Sequence, residues 1–419
     1  MTDKNVFKTL KERGYIYQST NLEALEKLLS SGKQITFYLG IDPTADSLHI
    51  GHFCALMMFR YLQEAGHKGI LLVGGATALV GDPSGKSDMR KMMTNDIVRH
   101  NVEEVKRLAA RFIKVDGDNP AIMVDNAEWM DGYNYVDFMR DIGTHFNVNK
   151  MLAADAYKNR LSEGGLTFLE MGYMLMQSYD FVYLNRKYGC ILQIGGSDQW
   201  GNIVSGTTLN RKMNFIDEDK EVDDNDIFGL TSPLLLTKDG KKMGKTESGT
   251  LWVARDKTGP YDFYQYFYNV DDQDVDMLLR FFTRIPLEEI DSMIKTDILT
   301  AKRTMAYEIT KLVHGAEEAD KVIEAVNSLF GNSANSDNAP KASLPKEKLD
   351  SGILLIDVLT ETGFIPTKSE ARRMITQGGI SLNGEKVSDL SATVSENDLK
   401  DGFALLKKGK KNFLKVYFE

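Results

Sequence analysis

Two histidines flank a glycine in the string His49-Ile50-Gly51-His52, in a chain with six histidines in all. A strand-like run, residues 34–41 (QITFYLGI), precedes it. A helical pattern follows, with apolar residues at Ile50, Phe53, Cys54, Met57, Met58, Tyr61, Leu62 and Ala65, and it stops at Gly66. His49, Gly51 and His52 are therefore expected at a helix N-terminus, where unpaired N–H groups and the helix dipole favour anions. Imidazoles placed there can donate to phosphate oxygens, and Gly51 lets a flat ring approach the backbone. The same string also fits a capped helix carrying two surface histidines.

A second constellation lies in residues 168–184 (FLEMGYMLMQSYDFVYL), an apolar stretch expected to form a mostly buried helix. Tyr173, Gln177 and Asp180 fall at i, i+4 and i+7, on one face. A solvent face would normally carry Lys, Glu or Arg, and none stands between Tyr173 and Asp180. A buried Asp and Gln need partners, and a polar ligand can supply them. Residues 190–202 (CILQIGGSDQWGN) read as a strand ending in glycines and then a polar turn, in which Asp198 could bind ribose hydroxyls. Residues 236–250 (LTKDGKKMGKTESGT) hold a D-G turn and then Lys242-Met243-Gly244-Lys245-Thr246, which taken alone reads as a surface hairpin with solvated lysines. Residues 81–87 (GDPSGKS) suggest a phosphate loop, but Val80 stands where that motif requires glycine. Asp82 keeps its interest, being expected just after a strand at the binding edge; a turn carboxylate is the alternative.

The elements that must position these groups alternate. Runs at 34–41, 69–74, 121–125 and 190–194 read as strands with helical segments between them. This predicts an α/β fold, a Rossmann-like doubly wound parallel sheet, with ligands beyond the carboxyl ends of its strands. From about 262 to 328 the pattern is helical, residues 331–348 (GNSANSDNAPKASLPKEK) read as a linker, and 350–419 regain apolar residues as a small α+β domain. The expected organisation is an α/β domain over 1–228, lysine loop and α-helical domain over 229–330, linker over 331–349 and a small domain over 350–419. The net charge of −9 argues against indiscriminate nucleic-acid coating, and acidic residues crowd into 217–226 (DEDKEVDDND). Local basic groups gather at Lys368, Arg372 and Arg373 and again at Lys407, Lys408, Lys410, Lys411 and Lys415. Cys54 and Cys190 are too few and too far apart for a disulfide framework or a cysteine zinc site, and no protein-ligated metal is expected. With no apolar run of membrane-span length and no signal-peptide pattern at the N-terminus, a cytoplasmic protein with no membrane association is expected.

Taken in order, these strings resemble the class I aminoacyl-tRNA synthetases, and in particular the bacterial-type tyrosine-specific members, over essentially the whole chain. His49-Ile50-Gly51-His52 is similar to the HIGH motif, and Lys242 to Thr246 to the KMSKS motif, with Gly244 and Thr246 in place of its serines. Y-x-x-x-Q-x-x-D at 173–180 resembles the tyrosine-binding helix, G-x-D-Q at 196–199 the ribose turn, and 363–387 an RNA-binding module first described in a ribosomal protein. The resemblance implies that the domain over 1–228 is catalytic and the one over 350–419 RNA-binding. It also implies that Tyr173, Gln177 and Asp82 hold the ammonium group of tyrosine. Asp180 and Tyr38 would bond its phenolic hydroxyl, with Gln193 nearby. It implies ATP contacts at Gly40, Asp42, His49, Gly51, His52, Gly196, Asp198, Gln199 and Lys245, and a catalytic set of Thr44, His49, His52, Lys242, Lys245 and Thr246. Many relatives carry a cysteine where Leu39 stands, so no polar ribose contact is expected there. The implied activity is tyrosine–tRNA ligation: tyrosine is activated by ATP, accompanied by Mg²⁺, and passed to the 3′-terminal ribose of its tRNA. The tRNA would be gripped by Lys368, Arg372, Arg373, Lys407, Lys408, Lys410 and Lys411 of a homodimer. A tryptophan-specific synthetase and a small-molecule nucleotidyltransferase with the same kind of site are the competing readings.

Overall fold

The computed structural model describes residues 5–83, 93–163, 165–218, 226–240, 242–246, 249–330, 340–349, 352–400, 402–409 and 412–418. The chain forms two compact units, Met1–Ala319 and Asp320–Glu419. The larger is built on a sheet of β1 (Gln18–Ser19), β2 (Thr36–Ile41), β3 (Lys68–Val73), β4 (Ile122–Asp125), β5 (Cys190–Gly196) and β6 (Phe228–Ser232). Their order is β1-β6-β5-β2-β3-β4. Every neighbouring pair is parallel except β1 with β6. Phe37, Leu39, Ile70, Leu71, Leu192 and Ile194 are buried, as strands covered on both faces require.

From β2 the chain builds outward through β3 to β4, then crosses to the other side of β2 to lay down β5 and β6. The order reverses between β2 and β5, and the carboxyl ends of those two strands open the crevice where ligands bind in such sheets. Cross-strand register sets Tyr38 beside Gln193.

Two details differ from the expectation. A strand that was not among those expected, β6, pairs in parallel with the strand at 190–196. The five residues of β6 include Gly229 and Thr231, so its apolar run is too short and broken to announce a strand, although all five are buried. Asp82 does not follow a strand directly either. The short helix Gly75–Val80 intervenes, and the remainder of the would-be phosphate loop, 84–87, lies outside the described residues.

Helices Pro260–Tyr268, Val275–Phe282, Leu287–Thr296 and Ile298–His314 complete this unit. Arg13 fastens the N-terminal segment to them, donating to the carbonyls of Arg280 (3.0 Å), Thr283 (3.0 Å) and Ile285 (2.8 Å). Carbonyls that the end of a helix leaves unpaired are satisfied in this way. The smaller unit has a five-stranded sheet, in the spatial order 385–387, 380–382, 403–408, 412–418 and 341–344, with helices Leu355–Glu361 and Lys368–Thr376. Leu355, Val358, Leu359, Ile375, Leu406 and Val416 are among the residues of its separate core. Among the described residues no helix is long and apolar enough to cross a membrane.

Candidate active site

A cavity of about 450 Å³ opens at the reversal point between β2 and β5. Its wall takes residues from both strands, from the start of helix Ile50–Glu64, from helix Phe168–Tyr188, and from the segment 242–244. The expected small-molecule contacts Tyr38, Gly40, Asp42, Thr44, His49, Gly51, His52, Asp82, Tyr173, Gln177, Asp180, Gln193, Gly196, Asp198, Gln199 and Lys242 all line it. Lys245 and Thr246 follow as a short strand, but their side chains lie outside what the structure describes.

The histidine string forms the helix start that its spacing implies. His49 is the N-cap, its Nδ1 accepting the Gly51 N–H at 3.0 Å, while His52 Nδ1 faces the His49 N–H at 3.4 Å. The rings stack with centroids 3.8 Å apart. Because each Nδ1 accepts, the ring proton of each neutral imidazole sits on Nε2, the donor a phosphate oxygen requires. Gly51 answers to this cap as well as to any ligand: a Cβ there would lie 2.8 Å from His49 Cε1.

At the deep end Asp180 is 2 % exposed. Trp129 Nε1 donates to one of its oxygens at 2.8 Å and Asn126 Nδ2 to the other at 3.1 Å. Burial pushes its carboxyl up to about 8 even against those two donors, and the charges of Asp42 and Asp125 add to the rise. Burial likewise holds the Tyr38 hydroxyl well above its ordinary range, with the neighbouring Asp180 adding to it. Tyr38 Oη, Gln177 Oε1 and Gln193 Oε1 are buried and have no hydrogen-bond partner among the described residues. The chain of bonds runs on from Asn126, which also donates to Thr77 Oγ1 (3.1 Å). Thr77 Oγ1 donates to Asp42 (2.8 Å), whose second oxygen accepts from Tyr173 Oη (2.8 Å).

Asn126 and Trp129 escaped the reading of the sequence. The signal available was the buried Asp180 itself, which needs donors, and the residues just past β4 could have been searched for them. Trp252, Leu251 and Val253 were also missed. Their backbone runs antiparallel to the histidine loop: His49 bridges Trp252, Ile50 N–H donates to the Leu251 carbonyl at 3.3 Å, and Val253 N–H to that of Leu48 at 2.9 Å.

The end of the cavity near Lys242 is more exposed. Lys242 Nζ lies 3.2 Å from Asp198 Oδ2, so the lysine loop reaches the turn at 196–199. Gln199 Nε2 donates to Asp82 at 2.6 Å. Among the described residues no three His, Cys, Asp or Glu side chains cluster as metal ligands.

In the smaller unit Arg372 and Arg373 are exposed on helix Lys368–Thr376. Lys368 pairs with Asp357 at 2.7 Å, and Lys408 approaches Glu370 at 3.7 Å. Lys407 lies against the Phe413 ring, 5.1 Å from its centroid. Lys410 and Lys411 lie outside the described residues. Lys415 does not face solvent: it is 1 % exposed, with Nζ 4.4 Å from the Phe403 centroid.

Comparison with known proteins agrees with this geometry. Residues 30–331 match the family model of tRNA synthetases class I (W and Y). Residues 334–416 match that of the tyrosine–tRNA ligase SYY-like C-terminal domain. Tyrosine–tRNA ligase of Clostridium botulinum (strain Alaska E43 / Type E3) is 49% identical over 415 residues, 98% of this chain and 99% of that protein. That of Clostridium tetani (strain Massachusetts / E88) is 49% identical over 418 residues, 99% of each. A C-terminally truncated mitochondrial tyrosyl-tRNA synthetase of Aspergillus nidulans superposes with a TM-score of 0.69 at 31% identity, covering 78% of this chain and 95% of that one. The chain therefore belongs to the class I tRNA synthetases for tryptophan and tyrosine, and within them to the tyrosine–tRNA ligases.

Proposed function

We propose that the cavity joins tyrosine to AMP, the first half of the tyrosine–tRNA ligase reaction, with the phenol at the Asp180 end and the triphosphate at the histidine helix. One observation carries this reading. Three buried polar atoms, on Tyr38, Gln177 and Gln193, have no partner among the described residues and share one cavity with a buried carboxylate. Unpaired buried polar groups are costly, and a ligand bearing a phenol and an ammonium would relieve them. Asp180 and Tyr38 meet the phenolic hydroxyl, while Tyr173, Gln177 and Asp82 meet the ammonium and Gln193 lies nearby. Phenylalanine would leave Asp180 and Tyr38 unmatched. Tyrosyl-tRNA synthetases are themselves the usual illustration of such selectivity, achieved without editing because a buried polar site rejects the analogue that lacks the hydroxyl.

The tyrosine carboxylate is already ionised, so no general base is required. One of its oxygens bonds to the α-phosphorus of ATP as the bond from that phosphorus to the bridging oxygen breaks, and pyrophosphate leaves with the electron pair. Catalysis is then positioning and stabilisation of charge on the departing phosphates. His49, His52, Thr44, Lys242, Lys245 and Thr246 are the donors. Gly40, Asp42, Gly51, Gly196, Asp198 and Gln199 hold the nucleoside, Asp198 exchanging Lys242 for the ribose. Mg²⁺ comes with ATP, and no step is assigned to it. A hydroxyl of the 3′-terminal ribose then attacks the tyrosyl carbonyl carbon, loses its proton, and AMP leaves.

Residues 1–228 act as the catalytic domain and 229–330 as lysine loop and helical domain; the linker expected over 331–349 is shorter, because 341–344 pairs in parallel with 415–418 and Leu344 and Leu349 join the core of the RNA-binding domain expected over 350–419. Lys368, Arg372, Arg373, Lys407, Lys408, Lys410 and Lys411 contact tRNA phosphates. The active assembly is a homodimer, a reading that gives the exposed apolar side chains of Tyr135, Val136, Val148, Phe168 and Leu169 a surface to meet. The cytoplasm suits both the substrates and two buried thiols, Cys54 and Cys190. ATP–pyrophosphate exchange with each of the twenty amino acids tests the reading. Tyrosine alone should support it, and tryptophan-dependent exchange would overturn it.

A further inference from the structure

Gly244 stands between the two lysines of the loop, and three elements converge on it. Its N–H donates to Tyr266 Oη at 2.8 Å, and its carbonyl accepts from the Leu251 N–H at 2.7 Å. Its own face is pressed against the first residue of the histidine helix: a Cβ on Gly244 would fall 2.2 Å from Ile50 Cγ2. With φ at +86° the position also excludes side chains on backbone grounds. Gly244 is buried, so its N–H needs an internal acceptor.

Tyr266 supplies that acceptor from a rigid post. It lies on helix Pro260–Tyr268, whose Phe263, Tyr264 and Phe267 are buried. Phe263 packs edge-on against His314 of the neighbouring helix, with ring centroids 4.9 Å apart. The other arm of the loop is tied to the same region, Lys238 Nζ lying 2.5 Å from Asp271 just past that helix. The loop is therefore referenced to the helical segment at both ends, and the bond to Gly244 is the one immediately between Lys242 and Lys245.

We propose that Tyr266 is a positioning residue for the ATP half of the reaction: its hydroxyl holds the Gly244 amide and thereby sets where Lys242 and Lys245 meet the departing pyrophosphate. This rests on the reading of those lysines as phosphate contacts. Tyr266 is not among the residues that line the cavity. The bonds from Leu251 to Gly244 and from Met243 to Leu235 are backbone to backbone and independent of side-chain identity, so the contribution of the hydroxyl can be removed alone.

The test is Tyr266→Phe in the full chain, with Lys242→Ala alongside. Kinetics of tyrosine-dependent pyrophosphate exchange are measured against ATP, tyrosine affinity is measured without ATP, and melting is followed for both variants. Tyr266→Phe should lower kcat/KM for ATP about five- to tenfold, as loss of one buried amide partner shifts the loop among local positions. Tyrosine affinity should stay at its wild-type value and the melting temperature should fall by no more than about 1–2 °C, because the opening is local. Wild-type exchange kinetics would overturn the proposal. So would an equal loss in tyrosine affinity, which marks a structural role. Should Lys242→Ala leave exchange intact, the loop's assigned role falls and this inference with it. If Lys242→Ala is impaired while Tyr266→Phe is not, this inference alone falls.

Discussion

Removing the hydroxyl of Tyr38 should move stability and substrate binding in opposite directions. The ring is 1 % exposed and packs on Phe181, with centroids 5.3 Å apart. Tyr38→Phe keeps that packing and deletes only Oη, which has no partner among the described residues. A buried unsatisfied hydroxyl costs about 1–3 kcal/mol. Taking the low end, because hydroxyls rotate and relax, the substrate-free enzyme should gain roughly 1 kcal/mol, a rise in melting temperature of ~1–2 °C for a unit of this size. Binding of tyrosine should lose the bond that Oη makes to the phenolic oxygen. At about 1 kcal/mol this is a five- to tenfold rise in KM for tyrosine. Phenylalanine, with no hydroxyl to match, should be activated no worse than before, so the preference for tyrosine over phenylalanine narrows by the same factor. Differential scanning calorimetry of the substrate-free enzyme and pyrophosphate exchange with both amino acids give all three quantities. A lower melting temperature would mean that Oη has an internal partner. A higher one with unchanged tyrosine kinetics would mean that the hydroxyl does not meet the substrate.

Three further outcomes are expected. The Asp180 carboxyl, held at about 8 against an ordinary 3.8, binds its proton more tightly folded than unfolded. Its contribution to stability is complete below about pH 4 and is lost as pH rises to about 8, at up to ~1.4 kcal/mol per pH unit. Melting curves of wild type and Asp180→Asn should therefore draw apart in slope between pH 5 and 8, and parallel profiles would contradict the raised value. Trp129→Phe removes one of the two donors to Asp180. A bond to a neutral carboxyl is worth about 0.5–1.5 kcal/mol, so kcat/KM for tyrosine should fall roughly two- to tenfold while KM for ATP holds; a loss confined to ATP would refute the assignment of ends. Arg372→Ala with Arg373→Ala should raise KM for tRNA and flatten its salt dependence by up to about two phosphate contacts, leaving pyrophosphate exchange unchanged. An unaltered salt slope would remove these residues from the RNA surface.

The sheet was legible where its strands are long and continuously apolar, as at Phe37 to Ile41 and Ile70 to Val73. It was illegible at β6, where burial comes from neighbours on both faces and not from any pattern within five residues. The histidine helix start was legible because capping is local: His49 and Gly51 are two residues apart and their bond needs nothing else from the fold. The polar face of helix Phe168–Tyr188 was legible too, since an Asp and a Gln without nearby charges on an apolar helix contradict solvent exposure.

The donors that hold Asp180 were not legible, for a reason that applies to active sites generally. Asn126 and Trp129 are separated from Asp180 by more than fifty residues of chain. They come together only because β4 ends beside the helix that crosses the sheet. A buried carboxylate announces the need for a partner, but not the partner's address. The same asymmetry separates Asp180 from Tyr38. Asp180 has its protein donors and is fixed in place, whereas Tyr38, Gln177 and Gln193 carry buried polar atoms left unmatched among the described residues. A site that satisfied them internally would be more stable and would bind nothing. On the proposed reading a hydroxylated, ammonium-bearing ligand meets those three atoms, so Tyr38→Phe tests stability and selectivity at one and the same atom.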